Sequence, residues 1–181
     1  MIYSTRASIL VALVIWGMAA CSTAPRSPEG RDDLVRRAAA ALTAWNQEIP
    51  GVEGFARQSV GYAMFPEVAK GGIGIGGAYG RGVVYERGQH IGYAGLSQGT
   101  LGLQFGGQAY KELIVFDDKA ALERFKQGRF DLSAATSAIL ITWGYAASVR
   151  TVEGLTVFYK PLGGFMREMV VAGQSLSFAP R

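Results

Sequence analysis

Cysteine and histidine are almost missing from this chain of 181 residues: it has one of each, Cys21 and His90. An internal disulfide is therefore impossible, and a zinc site built from several Cys and His ligands is excluded. Charge is sparse as well, at 18% of residues, with a formal net charge of +4 of which Arg6 contributes one. That balance is too mild to point to nucleic acid. The longest nearly unbroken apolar run, Ala7 to Ala20, is shorter than the roughly 20 residues a membrane-spanning helix needs. The apolar share is nonetheless 49%, which excludes a disordered chain. Glycine is what the chain has in excess: 25 residues, of which 14 fall between Gly71 and Gly107.

The first twenty residues read as a bacterial export signal. Arg6 and the amino terminus form a short positive region, and Ala7 to Ala20 form the apolar one. The run closes on Met18-Ala19-Ala20-Cys21. Small residues before a single Cys resemble the lipobox of bacterial lipoproteins, in which the Cys is acylated after cleavage in front of it. An ordinary signal peptide and a buried free Cys are the other readings. Several acyl chains anchor a protein far more firmly than one. Ser22 follows where Asp would resemble an inner-membrane retention signal. The expected location is therefore the outer membrane, facing the periplasm.

The expected organisation is a signal peptide over residues 1–20, an acylated Cys with a flexible tether over 21–30, and one domain over 31–181. Ser22 to Gly30 is polar and contains proline. A helix follows, with Asp32 or Asp33 as its cap and Leu34, Ala38, Ala41, Leu42 and Trp45 as its apolar stripe, ended by Pro50-Gly51. Its stripe either packs on the domain, the preferred reading, or lies on the membrane. From Val60 the period changes to that of strands. Val60–Phe65, Ile73–Tyr79, Gly82–Arg87, Ile91–Leu96 and Leu101–Phe116 are separated by glycine-containing turns, notably Arg87-Gly88 and Gln98-Gly99. A short helix is expected over Asp117–Gln127, with Ala121, Leu122 and Phe125 buried and Gly128 as its stop. Ala134–Val149 reads as strand or helix. Leu155–Lys160, Phe165–Val171 and Leu176–Phe178 read as closing strands. The fold class is α+β: a strongly coiled, glycine-rich antiparallel sheet, barrel- or sandwich-like, with two helices packed on it.

Three patterns bear on chemistry. Gly72, Gly74 and Gly77 satisfy the G-x-G-x-x-G spacing. The glycine-broken residues after it cannot start the helix that would hold a pyrophosphate. Gly72, Gly74, Gly76, Gly77, Gly80 and Gly82 are therefore read as structural. Gly95-Leu96-Ser97-Gln98-Gly99 satisfies G-x-S-x-G, but the only His, His90, precedes the Ser, and the order of an α/β-hydrolase triad needs it after. His90 is read as a surface residue. Asp32-Asp33 and Asp117-Asp118 are explained by helix starts. No catalytic residue, metal or cofactor is expected.

At Gly61-Tyr62-Ala63-Met64-Phe65-Pro66 and the tract from Lys70 to Val83, the chain resembles the signature of the SYLF domain. Gly102-Leu103-Gln104-Phe105-Gly106-Gly107-Gln108 resembles a second block of that family, and Leu113-Ile114-Val115-Phe116 with the helix after it a third. The likeness runs from about Leu34 to the C-terminus and thins after Asp131. It implies a non-enzymatic domain that binds anionic, phosphoinositide-like phospholipid headgroups. Actin binding, known of yeast-type members, carries over poorly to a cell-envelope protein. Lys70 and Arg81 are the basic positions within the signature. Arg31, Arg36 and Arg37 join them by chemistry rather than by motif, and the five are expected to form one cationic face. The competing reading is a structural or interaction protein of the envelope with no lipid specificity.

Overall fold

The computed structural model describes residues 23–128, 137–142, 145–152, 154–164 and 174–181. The leader, Cys21, Trp143 and the expected strand Phe165–Val171 lie outside the described residues. Three helices occur among those described: α1 (Pro28–Glu48), α2 (Val52–Gln58) and α3 (Lys119–Lys126). The strands are β1 (Gly61–Glu86), β2 (Gln89–Phe116), β3 (Ser137–Thr142), β4 (Tyr145–Val152), β5 (Leu155–Gly164) and β6 (Gln174–Pro180).

α1 begins earlier than its sequence suggests. Ser27, not Asp32 or Asp33, is the cap: its Oγ accepts from the Gly30 N–H at 3.1 Å, and Pro28 opens the first turn. Proline suits that position because its missing N–H would have no partner there. The tether expected to reach Gly30 therefore stops short of it. The apolar stripe is as read: Leu34, Ala38, Ala41, Leu42 and Trp45 are all buried. They pack with Tyr62, Met64, Val83, Tyr93, Leu113 and Val115 of the sheet, so the helix lies on the domain. After Ile49 the chain turns at Gly51, whose φ is +99°, into α2. Asn46 holds this turn, its Oδ1 accepting from the backbone of Gly51 at 3.0 Å and of Glu53 at 3.3 Å.

β1 and β2 form one hairpin. Its turn, Arg87-Gly88, has φ of 49° and 79°, the positive pair that a two-residue turn matched to strand twist requires. The second expected turn, Gln98-Gly99, is not one. Ala78 pairs with Gln98 and Gly77 with Gly99, so the five short strands read from the sequence are two long ones. Gly99 lacks the positive φ that would have turned the chain.

Among the described residues the sheet has six strands, all antiparallel, in the order β1-β2-β5-β4-β3, with β6 also on β2. It does not close into a barrel, contrary to one of the expected forms. The two ends of that order, β1 and β3, do not pair with each other among the described residues. The ambiguous stretch Ala134–Val149 is strand where it is described. Each face of the sheet carries its own core. α1 and α2 cover one face. On the other, Ala121, Leu122 and Phe125 of α3 pack with Phe65, Ile114, Phe116, Leu155, Val157 and Leu176. α3 is built as its sequence suggests, with Asp118 Oδ1 accepting from the Ala121 N–H at 2.7 Å and Gly128 at φ 66° beyond its end.

Candidate functional site

An open cleft of about 320 Å³ lies where the start of α1 crosses β1. α1 contributes Gly30, Asp33, Leu34 and Arg37, and β1 contributes Pro66, Glu67, Ala69, Tyr79, Gly80 and Arg81. Pro25, from the chain segment leading into α1, closes one side.

A bulge sets the β1 wall. Phe65 pairs with Glu112 and Val68 with Tyr110, so Pro66 and Glu67 together oppose one residue of β2. Proline, which cannot donate to a ladder, is tolerated at such a point. The extra residue also aims the Glu67 side chain outward. There its Oε2 accepts from Arg37 Nη2 at 2.8 Å, and both side chains are about half exposed. On the opposite side, the Arg81 guanidinium lies 5.4 Å from the centre of the Tyr79 ring. This distance is within cation–π range.

Of the five cations expected to share a face, only Arg37 and Arg81 line this cleft. Arg36 is 70% exposed and bonded to Asp33 at 3.2 Å. Arg31 donates from Nε to the Pro25 carbonyl at 3.0 Å and lies 6.0 Å from the Tyr93 ring centre. Lys70 is a correction. It is only 4% exposed. Glu67 and Ala69 point into the cleft and Val68 into the opposite core. Alternation along the strand therefore turns Lys70 away from the cleft.

The structural reading of the glycine tract rests on contacts. All of Gly71 to Gly82 lies inside β1, with strand on both sides. A Cβ on Gly80 would meet Val68 Cγ2 at 2.7 Å, and one on Gly82 would meet the Met64 carbonyl oxygen at 2.9 Å. Gly77 would meet the Gln98 carbonyl oxygen at 3.0 Å. Close approach, not positive φ, is what these three positions need. Ser97 is exposed in the middle of β2 and not on a strand-to-helix turn. His90 is half-buried, not a free surface residue. Its ring is 5.8 Å from that of Tyr85 and 5.1 Å from that of Tyr93.

Sequence reasoning missed two features. One is the cleft's partners, Glu67 and Tyr79, which depend on register; the only local signal was proline inside a strand, at Pro66. The other is a polar group inside the α3-side core. Gln174 Nε2 donates to Glu112 Oε2 at 3.2 Å and to the Tyr110 hydroxyl at 3.3 Å, with all three buried. Burial, with the Glu112 charge beside it, pushes the Tyr110 hydroxyl far above its ordinary pKa.

Among the described residues, no three of His, Cys, Asp and Glu are grouped as metal ligands, and no helix is long and apolar enough to cross a membrane. No family model, curated protein or solved structure matches this chain.

Proposed function

We propose that this is a non-enzymatic, lipid-anchored protein of the bacterial cell envelope whose SYLF-like domain binds anionic phospholipid headgroups in the cleft between α1 and β1. One observation carries the reading. Arg37 and Arg81, from two different elements, line the same open cleft, and Pro25, four residues after Cys21 in the chain, closes one side of it. A phosphate there would sit between two guanidinium groups, each able to give paired hydrogen bonds. The Tyr79 ring supports one of them. Acylation of Cys21 supplies the anchor, with the outer membrane as the expected site. The sheet is inferred to be strongly coiled, a reading supported by the approach of Gly80 to Val68 within one strand.

A basic side chain near an anionic surface contributes about 1 kcal/mol. Two of them, one shared with Glu67, give weak binding that matters because the anchor holds the local headgroup concentration high. A chain starting at Ser22 should therefore co-sediment weakly with phosphatidylglycerol or cardiolipin vesicles, and less so in high salt. Arg37→Glu with Arg81→Glu should abolish this while leaving the circular dichroism spectrum unchanged. Equal binding to neutral and anionic vesicles would instead favour the structural or interaction-protein reading.

A further inference from the structure

The segment before α1 is docked rather than slack. Thr23 Oγ1 lies 2.8 Å from Ser177 Oγ on β6. A Cβ on Gly95 of β2 would come within 3.4 Å of Thr23 Cα, so the segment runs directly over a glycine. Two residues on, Pro25 receives the bond from Arg31. Ser27 then caps α1. The strap over residues 23–27 is thus fixed along its length.

We infer that this strap holds the domain in one pose, with the outward face of β1, β2 and β6 around Ser97 turned onto the phospholipid surface. The inference rests on the proposed acylation of Cys21. Only two residue steps separate Cys21 from Thr23, and an extended chain covers at most about 7 Å in two residues. A domain of this size is about 40 Å across. A flexible tether through residue 30 would let it present any side, whereas a strap fixed from Thr23 keeps one side close to the acyl group.

The chemistry of that side suits a headgroup layer. Register places Tyr79, Ser97 and Ser175 in one cross-strand row, and Arg81, Gly95 and Ser177 in the next. Ser97, Ser175 and Ser177 are exposed. Neither row contains an acid. Hydroxyl groups, an amphipathic tyrosine ring and one cation are the groups a bilayer interface accepts. Arg81 also lines the proposed headgroup cleft, so the pose would bring that cleft to the lipid.

The test uses the full-length, processed protein in vesicles of phosphatidylethanolamine and phosphatidylglycerol. A fluorophore on an introduced thiol is read against a quencher carried on lipid headgroups. Ser97→Cys and Ser175→Cys report the proposed face, and Lys119→Cys, on α3 beyond the opposite core, reports the other. The short reach from the anchor predicts quenching at the two serine positions roughly threefold stronger than at residue 119. Ten Gly/Ser residues inserted between Ser22 and Thr23 should erase most of the difference. Equal quenching at all three positions in the uninserted chain, or the strongest at residue 119, overturns the pose. Flotation separates this from failure of the anchor. If a chain starting at Ser22, which lacks both the leader and Cys21, floats with the vesicles as fully as the parent chain, the acylation reading falls and the pose with it. If only the parent floats and quenching is uniform, the pose alone fails.

Discussion

Arg37 of α1 holds Glu67 of β1 at 2.8 Å across thirty residues of chain, at the rim of the candidate cleft. The bond does two things at once. It ties the helix to the bulge, and it occupies the cation that a headgroup phosphate would need. As an exposed pair it contributes only about 0.2–1 kcal/mol to stability.

Removing the Glu67 charge should therefore strengthen anion binding at little cost to the fold. Glu67→Gln is expected to increase co-sedimentation with phosphatidylglycerol vesicles, and Arg37→Glu to reduce it. Arg36, bonded to Asp33 and absent from the cleft lining, serves as the control. Reversing it changes net charge by the same amount and should have a clearly smaller effect. Equal losses for Arg36→Glu and Arg37→Glu would mean that binding follows overall charge and not the cleft.

How much of this was legible depended on whether the signal is local. α3 could be read residue by residue, because its cap, its three buried residues and its terminating glycine all lie within twelve positions. The stripe of α1 was legible for the same reason. Its start was not: Ser27-Pro28 is a helix-opening pair, but with Pro25 nearby it reads equally well as a tether. Gln98-Gly99 misled because glycine permits a turn without requiring one. Lys70 was misplaced because it and Arg81 lie in one continuous strand, an odd number of residues apart, so alternation puts them on opposite faces, and that continuity is invisible while the tract reads as several short strands. The cleft shows the same limit. Arg37 could be named from chemistry and Arg81 from the resemblance, but Glu67, Tyr79 and the absence of Arg36 follow from where separate elements cross.

The glycines of the hairpin should separate into two classes. At Gly82 an added methyl would lie 2.9 Å from both the Met64 carbonyl oxygen and the Phe65 ring, so backbone must move. Gly82→Ala should cost about 1–3 kcal/mol, as overpacking does. At Gly99 nothing lies within 4 Å and φ is not positive. Gly99→Ala should stay within about 0.5 kcal/mol of the parent. Urea unfolding of the two variants side by side tests the distinction, and a similar loss in both would refute it.

Gln174 offers a test of the buried polar group. Gln174→Leu withdraws the donor from Glu112 Oε2, leaving a buried carboxylate with one hydrogen bond fewer. Losing such a bond to a charged group costs about 1.5–3 kcal/mol. Adding Glu112→Leu removes the group left short of a donor. The double variant should then lose less than the sum of the singles, since the two residues interact directly. Additive losses, measured by urea unfolding, would show that the bond contributes little.

His90 gives the pH dependence. Burial lowers its pKa below the ordinary value, outweighing the bond between Nε2 and the Gly92 carbonyl at 3.1 Å, and the positive Arg181 lowers it further. Tyr85 and Tyr93 are the other titratable groups against the ring. Because the folded pKa is lowered, the unfolded chain binds more protons in the window between that value and about 6.5. Stability must then rise with pH through the window and fall on acidification below about 6.5. His90→Phe keeps an aromatic ring between Tyr85 and Tyr93 and removes the titration. Its Tm, followed by circular dichroism from neutral pH down to about 5, should fall less steeply than that of the parent chain. Carboxylates contribute the same slope to both proteins, so the difference between the two curves isolates His90. Parallel curves would show that protonating this ring costs the fold nothing.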